Sequence, residues 1–346
     1  MAQWRAARSV FVLRAFVQTG IGEYDERELP VPRPGPGEAV VRVLAAVLCG
    51  TDVKLLRRGH SKIALPRTMG HELCGEVISV GEGVDPGLVG ARVVPGISGP
   101  CGACPECLGG FSNLCAEAHA DQTWGAFAEY VRIPASVVRT NLHRVPESLS
   151  DTAAAFVDPL ASVLHGWGRL KPLPAAATLL VYGAGAIAFL WAATARLRGI
   201  SCTIAARRPE RRSMAERFGA RFLDVSAGSP TGLFSLAVDA TGDPDVWSLL
   251  PFLVSPGGRV LLYGGCAPGV VASFDAARLH YAEISLIGSF HSTPAEAAEA
   301  LALLASGTIE PLPLVSASGG LDQLPVFLES QARGEGLRHA VRPDAG

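Results

Sequence analysis

Four cysteines stand close together in the chain and have the spacing of a metal site. Cys101, Cys104, Cys107 and Cys115 follow the pattern C-x2-C-x2-C-x7-C. Four thiolates form the closed tetrahedral shell in which structural Zn²⁺ is held. The alternative, a disulfide-linked loop, needs an oxidising compartment. We expect a cytoplasmic protein without a signal peptide, because Arg14 interrupts the apolar stretch near the start. We therefore predict structural zinc.

A second group of possible metal ligands lies in the runs C-G-T-D, from Cys49 to Asp52, and G-H-E, from Gly70 to Glu72. Cysteine and histidine are ligands that Zn²⁺ accepts, and a catalytic zinc commonly has three protein ligands and one open position. Taken alone, Cys49 and His71 could equally be core residues. Their types and spacing leave both interpretations open.

A glycine turn predicts a dinucleotide site. The run G-A-G-A-I-A follows the predicted strand Thr178–Tyr182 and opens a predicted helix. In such a turn the first glycine permits a tight bend, the second lets the backbone approach a pyrophosphate, and the helix N-terminus attracts that anion. The alternative is an ordinary glycine turn of an α/β domain. We predict contacts to the dinucleotide from Gly183, Gly185, Ala186 and Ile187.

The next predicted strand, Cys202–Ala206, bears on which dinucleotide binds. It ends without the Asp or Glu that takes the ribose 2′-hydroxyl of NAD, and Arg207 and Arg208 follow at once. Arginines suit a 2′-phosphate, although two solvated surface arginines would look the same. We predict NADP(H) in preference to NAD(H). The further residues predicted at this cofactor are Ala206, Arg207, Arg208, Arg212, Thr241 and Gly264.

The elements that must position these residues fall into two patterns. The 346 residues carry a net charge of −2 and are 49% hydrophobic, which indicates a globular protein and excludes a nucleic-acid footprint. No apolar run approaches the ~20 residues of a membrane span. From Ala39 to Val145 short β-runs predominate, whereas from Asp151 strands and helices alternate, as in a parallel doubly wound sheet. We predict the helix Ala295–Ala305 near the end, followed by irregular chain.

The order of these motifs resembles the zinc-dependent medium-chain dehydrogenase/reductases. It comprises C-G-T-D, G-H-E, the four cysteines, G-A-F-A-E-Y at 125–130, D-P-L-A at 158–161 and the glycine turn. The resemblance spans about residues 20–340 and is greatest to the sorbitol/polyol, threonine and butanediol dehydrogenase branch. It implies an α/β protein with a GroES-like β-rich catalytic domain and a Rossmann domain, with the active site in the cleft between them. The expected domains are 1–157 with 293–346, and 158–292.

The resemblance also implies residue roles. Cys49 and His71 would hold a catalytic zinc, with Glu72 and Asp158 as candidates for the remaining position. Thr51 would pass the substrate proton toward solvent, and Asp52 would orient a liganding imidazole. A zinc ion in such a site acts as a Lewis acid while hydride moves between a secondary alcohol and the nicotinamide. The expected pocket residues are Thr51, Trp124, Phe290 and His291.

Departures from the family pattern narrow the expectations. Asp158 is one methylene shorter than the usual glutamate, so a metal role competes with capping of the helix that starts near Pro159. His291 stands where polyol dehydrogenases often have arginine, which predicts a substrate other than sorbitol. We expect a polyol, cyclitol or sugar-derived alcohol or ketone, and a homodimer or homotetramer without nucleic-acid or membrane partners. The alternatives are an NAD-dependent polyol or threonine-type enzyme, a non-enzymatic dinucleotide sensor, and a zinc-free quinone reductase.

Overall fold

The computed structural model describes residues 12–59, 63–226, 228, 230 and 232–344, and the chain divides into two compact units. The first unit runs to Asp158 and resumes at Leu301, and the second is Pro159–Ala300. In the described residues, none of the helices combines the length and the apolarity that a membrane crossing requires. Each unit has its own sheet, so the molecule is an α/β protein, as predicted.

The first unit is built mainly from strands. Its three-stranded sheet has the order β2-β1-β4, and its larger sheet has the order β15-β16-β3-β5-β6-β8, with β7 also paired to β3. The elements up to Asp158 are β1 Val12–Gly20, β2 Glu23–Pro30, β3 Ala39–Val47, α1 Gly50–Arg58, β4 Arg67–Thr68, β5 Leu73–Val80, β6 Arg92–Pro95, α2 Pro105–Leu108, α3 Ala116–Ala120, β7 Tyr130–Ile133, α4 Ala135–Thr140, β8 Leu142–Arg144 and α5 Asp151–Ala154.

Strand β3 lies at the centre of the larger sheet because its sequence, AVVRVLAAV, is apolar on both faces. It pairs with β5, β7 and β16. Its side chains Val41 and Val43 pack in one core with Leu73 and Phe127, all fully or almost fully buried. A rigid central strand of this kind gives fixed starting points to the loops that follow β3 and precede β5.

The second unit contains a six-stranded parallel sheet in the order β11-β10-β9-β12-β13-β14. Counted from its first strand this is the order 3-2-1-4-5-6 of a doubly wound dinucleotide-binding sheet. The prediction of a Rossmann fold is confirmed. Its elements are α6 Val157–Arg169, which begins at the unit boundary, β9 Thr178–Tyr182, α7 Ala186–Leu197, β10 Ser201–Ala206, α8 Arg212–Arg217, β11 Ala220–Asp224, β12 Phe234–Asp239, α9 Pro244–Leu249, β13 Val254–Leu262, α10 Ala276–Tyr281, β14 Ser285–Gly288 and α11 Pro294–Ala305, whose last residues belong to the first unit.

The end of the chain corrects the expectation of irregular structure after α11. Its elements are β15 Val315–Gly319, α12 Leu324–Arg333 and β16 Arg338–Val341. Strand β16 pairs with β3, with Ala340 opposite Val47. Because a four-residue strand is defined by its distant partner and carries almost no local signal, the sequence alone did not reveal it.

Candidate active site and metal centres

Three possible zinc ligands meet where β3 ends and β5 begins. The ligand atoms of Cys49, His71 and Glu72 all lie within 4.8 Å of one another, and we call these residues the Cys49 cluster. The backbone explains the meeting, because the N–H of Val47 donates to the carbonyl of Glu72 at 3.0 Å. Cys49 follows β3 and precedes α1, whereas His71 and Glu72 precede β5. The pairing of two strands therefore brings together residues that lie far apart in the sequence.

Asp52 accepts hydrogen bonds from two members of the Cys49 cluster. Its Oδ2 accepts from the backbone N–H of Cys49 at 2.9 Å, and its Oδ1 accepts from Nδ1 of His71 at 3.2 Å. Asp52 is only 1% exposed. Since a carboxylate can only accept here, Nδ1 of His71 carries the proton and Nε2 is left to bind a metal. The orienting role predicted for Asp52 has the geometry that it needs.

Arg338 is a buried residue of this site that the sequence analysis did not identify. Its Nη1 donates to both carboxylate oxygens of Glu72, at 3.2 and 3.0 Å, and to the carbonyl of Leu48 at 3.0 Å. Both charged side chains are almost fully buried. Arg338 lies on β16, the strand that the sequence did not predict, so no signal could have singled it out. The ion pair fixes the carboxylate of Glu72 beside Cys49 and His71.

The electrostatics of the Cys49 cluster favour a thiolate. Burial raises the pKa of the Cys49 thiol, but Arg338 and His71 outweigh it and bring the pKa to about 6. Burial lowers the pKa of His71, but the carboxylate of Asp52 and the side chain of Cys49 together outweigh it, so the pKa is raised. Burial raises the pKa of Glu72 against the opposing influence of Arg338. A thiolate, an imidazole nitrogen and a carboxylate form a ligand set that fits Zn²⁺.

Asp158 lies close to the Cys49 cluster without belonging to its closest group. Burial raises its pKa, and the nearby charges of His71 and Arg338 lower it. Helix α6 begins at Val157, so Asp158 already lies within its first turn. In the described part of the chain its carboxylate accepts no hydrogen bond from a helix N–H. This geometry gives capping no support, and a role toward the metal remains a prediction.

Two predicted pocket residues flank the Cys49 cluster. Thr51 is exposed in the first turn of α1, two residues after Cys49. The ring of Trp124 meets that of His71 edge to face, with the centroids 5.3 Å apart. The guanidinium of Arg67 lies over the ring of Trp124, 4.4 Å from its centroid. Arg67 was not predicted, and only its position beside Trp124 draws attention to it.

The four cysteines form a second candidate metal centre. The sulfur atoms of Cys101, Cys104, Cys107 and Cys115 lie within 4.8 Å of one another, and no disulfide joins them. Backbone N–H groups of Ala103 and Cys104 donate to Sγ of Cys101 at 3.4 and 3.3 Å. A tetrahedral zinc with Zn–S of about 2.3 Å places its sulfurs about 3.8 Å apart. The 3.9 Å between Sγ of Cys101 and Cys107 matches that spacing.

The predicted dinucleotide turn has the expected backbone. Gly183 has φ +115°, a value that side chains rarely allow, and its N–H donates to the carbonyl of Ala205 at 2.8 Å. Gly185 precedes α7, whose first residues are Ala186 and Ile187. Within the sheet, Tyr182 is opposite both Ala205 and Asp239. The segments after β9, β10 and β12 therefore leave the same edge of the sheet, where dinucleotides bind in such folds.

Asp239 holds the segments at this edge in place, and it carries no sequence motif that would have singled it out. It is fully buried and accepts from the N–H of Thr241 at 2.9 Å, the N–H of Gly242 at 2.9 Å and Nε1 of Trp247 at 2.9 Å. Oγ1 of Thr241 donates to it at 2.5 Å. Its backbone carbonyl accepts from Gly264 at 2.9 Å. Asp239 thus holds both Thr241 and Gly264, two predicted cofactor residues, at the same strand ends.

The predicted 2′-phosphate residues lie at the end of β10. Ala206 is buried as its last residue, and Arg207 and Arg208 are exposed directly after it. Arg207 has no ion pair with any described residue. Arg212 opens α8, and its guanidinium lies 5.1 Å from the ring centroid of Phe222. Arg207 therefore offers a charge that none of the described residues pairs with.

The last two predicted pocket residues belong to the second unit. Phe290 is 62% exposed, and His291 has φ +63°, an uncommon conformation for a non-glycine residue. Their rings are 5.9 Å apart. Thr51 and Trp124 belong to the first unit. A pocket lined by all four residues remains a prediction.

Comparison with known proteins agrees with this architecture. The family "Alcohol dehydrogenase GroES-like domain" matches residues 35–147, and the family "Zinc-binding dehydrogenase" matches residues 186–306. D-altritol 5-dehydrogenase of Agrobacterium fabrum is 36% identical over 80% of this chain and 83% of its own. L-galactonate-5-dehydrogenase of Escherichia coli is 29% identical over 83% and 85%.

A solved structure gives the same result for the fold. A putative zinc-binding dehydrogenase of Sinorhizobium meliloti, bound to NADP, has a TM-score of 0.86 and 30% identity over 96% of this chain and 99% of its own. The fold and these matches define an oxidoreductase of the dehydrogenase class. The chain belongs to the zinc-binding alcohol dehydrogenases of the medium-chain dehydrogenase/reductase family, which confirms the resemblance seen in its motifs. It acts on alcohols.

Proposed function

We propose that this protein is a zinc-dependent enzyme that transfers a hydride between NADP(H) and a secondary alcohol or ketone. The observation that carries the proposal is the Cys49 cluster, in which three zinc-ligand types converge beside the orienting carboxylate of Asp52. A dinucleotide sensor without catalysis has no need of such a centre. A zinc-free reductase would need neither this centre nor the four cysteines.

Each residue of the site has a distinct task in this proposal. Cys49, His71 and Glu72 would hold the zinc, which supplies Lewis acidity toward the alcohol oxygen. Asp52 holds the imidazole of His71 through Nδ1, which would leave Nε2 free to bind the metal. The exposed hydroxyl of Thr51 passes the substrate proton toward solvent. Asp158 would contact the metal directly or through one water molecule.

The four-cysteine group has a structural task in the proposal. Its closed set of thiolates leaves no position for substrate, in contrast to the mixed ligands of the Cys49 cluster. We therefore assign a structural zinc to Cys101, Cys104, Cys107 and Cys115. The protein would carry two zinc ions per chain, with different work for each.

The preference for NADP(H) rests on the end of β10. No acidic residue stands there to repel a 2′-phosphate, and Arg207 and Arg208 are exposed. The Sinorhizobium meliloti protein binds NADP. Gly183, Gly185, Ala186 and Ile187 would approach the pyrophosphate, while Thr241 and Gly264 would lie toward the nicotinamide end. NAD(H) use by a polyol or threonine-type enzyme is the alternative that the experiment below distinguishes.

The substrate class follows from the relatives. Their names, D-altritol 5-dehydrogenase and L-galactonate-5-dehydrogenase, describe a polyol and a sugar acid oxidised at a secondary carbon. A polyol, cyclitol or sugar-derived substrate for this chain is consistent with both. The same proposal includes the division into domains 1–157 with 293–346 and 158–292, and assembly as a homodimer or homotetramer.

The test combines metal content with cofactor preference. Zinc per chain is measured in the purified protein, and NADPH and NADH oxidation are compared on a panel of ketoses and keto acids. The double variant Arg207→Ala with Arg208→Ala should weaken the binding of NADPH by about 1.5–3 kcal/mol for each charged hydrogen bond lost and leave the binding of NADH little changed. Arg217→Ala with Arg221→Ala, two exposed arginines of the same unit, is the matched control. A wild type that prefers NADH, or that holds no zinc, contradicts the proposal.

A further inference from the structure

Arg67 lies beside the candidate active site, and its charge has no ion-pair partner among the residues that the structure describes. It lies on the two-residue strand β4, and its guanidinium stacks 4.4 Å from the ring centroid of Trp124. Trp124 in turn contacts His71, with a centroid separation of 5.3 Å. The guanidinium is therefore about 10 Å or less from the imidazole ring of a candidate zinc ligand. This separation is comparable with the length of a sugar-acid chain.

The surroundings of Arg67 distinguish it from other partly buried arginines of the first unit. Arg42 pairs with Glu76 at 2.7 Å, and Arg92 pairs with Asp151 at 2.8 Å. Arg67 has no carboxylate within ion-pair distance in the described part of the chain. Burial lowers the pKa of Arg67 and outweighs the opposing charge of Asp52, whose oxygens already accept hydrogen bonds from Cys49 and His71. Within the described chain, Arg67 thus brings to the site a positive charge that no carboxylate pairs with.

One of its hydrogen-bond donors also lacks a partner within the described chain. Nη2 donates to Oε1 of Gln18 at 3.0 Å, and the enclosed Nη1 has no partner among the described residues. Because burial lowers the pKa of Arg67, the folded protein stabilises this cation less than water would. Stacking on Trp124 accounts for the orientation of the guanidinium. It does not account for the unpartnered Nη1, because buried polar groups normally find partners.

We propose that Arg67 binds the carboxylate of the substrate and thereby selects polyhydroxy acids over neutral polyols. This inference rests on the proposed function, of which it specifies the substrate class. The planar guanidinium presents paired N–H donors that match the two oxygens of a carboxylate. Held against Trp124, it would receive the acid end of the chain while the alcohol end lies at the Cys49 cluster. Arg67 is a specificity-determining residue in this assignment.

The experiment compares substrates that differ only in charge. The zinc-loaded enzyme is assayed with NADP⁺ on a panel of hexonates and on the hexitols of the same configuration. Arg67→Met should lower kcat/KM for the accepted hexonate by about 10- to 150-fold, chiefly through KM, since a hydrogen bond to a charged group is lost. The hexitol should change by about 3-fold or less. Arg67→Lys should recover part of the loss, because it restores the charge without the planar fork.

Two controls keep the result interpretable. Arg57→Met removes an arginine whose Nη2 donates to the carbonyl of Ala332 and which has no place in the site, so it should leave both substrates unchanged. Thermal melting of each variant checks that it is folded. Calorimetric titration of hexonate into the zinc-loaded enzyme with bound cofactor reads the carboxylate contact without turnover, and the heat should vanish in Arg67→Met.

The overturning outcomes are separate from those of the proposed function. Equal losses on hexonate and hexitol would make Arg67 a support for Trp124 only. A wild type that turns over neutral alcohols with zinc and NADP⁺ but neither binds nor oxidises any hexonate would reject the inference and leave the proposed function standing. A wild type without zinc-dependent turnover would reject the proposed function, and the calorimetric titration would still decide whether Arg67 holds a carboxylate.

Discussion

The Cys49 cluster and the four-cysteine lobe, residues 101–115, hold their ligands in opposite ways. The Cys49 cluster is joined by strand pairing, by the carboxylate of Asp52 and by the buried ion pair of Glu72 with Arg338. The lobe consists of short helices and turns, and its apolar residues Leu108, Phe111 and Leu114 remain exposed at 76%, 40% and 46%. One centre is built into the core of a sheet, and the other is built mainly from its own segment.

The difference indicates what each metal contributes. Because protein contacts already arrange the Cys49 cluster, we expect a zinc ion there to contribute more to catalysis than to the stability of the fold. In the lobe few apolar contacts replace the metal, so ion binding there is coupled to folding. The comparison predicts that ligand removal will separate activity from stability.

Cys49→Ser should abolish turnover and spare the fold. We expect kcat to fall by about 10³-fold or more, equivalent to about 4 kcal/mol of lost transition-state stabilisation, because the thiolate ligand is gone. Binding of NADPH should persist, since the predicted cofactor residues belong to the other unit. Steady-state kinetics and fluorescence titration measure the two quantities. Cys202→Ser, a cysteine of β10 with no ligand role, is the control; a normal rate in Cys49→Ser would remove zinc from the mechanism.

Cys104→Ser should have the reverse pattern. We expect the free energy of unfolding to fall by about 4 kcal/mol or more, as loss of a structural metal is among the most destabilising changes. Zinc content should fall from two ions to one, while the folded fraction keeps its kcat. Metal analysis, chemical denaturation and active-site titration together test this. Unchanged stability with full loss of activity would invert the comparison between the two centres.

Arg338→Met should destabilise the Cys49 cluster through its carboxylate. Removing one partner of a buried ion pair leaves the other charge unpaired, at a cost of about 3–5 kcal/mol. Adding Glu72→Gln should recover part of that loss. A double-mutant cycle in urea measures the coupling between the two residues. Additive effects would mean that the ion pair does not stabilise the site.

Asp158→Asn should have the smallest effect and should act on the metal. We expect a loss of about 10- to 100-fold in zinc affinity or in catalytic rate, the range for groups that support a metal from beyond its ligands. A helix cap would instead cost about 1 kcal/mol of stability with a near-normal rate. Zinc retention during dialysis against a chelator and kcat are measured in parallel. Asp151→Asn, a helix-start aspartate paired with Arg92, is the matched control.

Local patterns allowed much of this protein to be predicted. The strands Ala39–Val47 and Thr178–Tyr182 were predicted at the bounds that the structure gives, because both are predominantly apolar runs bounded by polar or turn residues. The glycine turn and the four cysteines were recognisable because each depends on spacing within a few residues. Cys49 and His71 became interpretable only through the order of all the motifs together.

The tertiary structure alone decided the contacts between distant residues. Arg338 meets Glu72 across 266 positions of sequence, on a strand that exists only through pairing with β3. Arg67 stacks on Trp124, and the buried carboxylate of Asp239 accepts hydrogen bonds from the N–H of Gly242 and the indole of Trp247. A charged residue in a short apolar strand has the same local appearance whether its partner is water or a buried carboxylate. The sequence therefore determined which chemistry is available, and the long-range packing of the sheets decided which charges that chemistry meets.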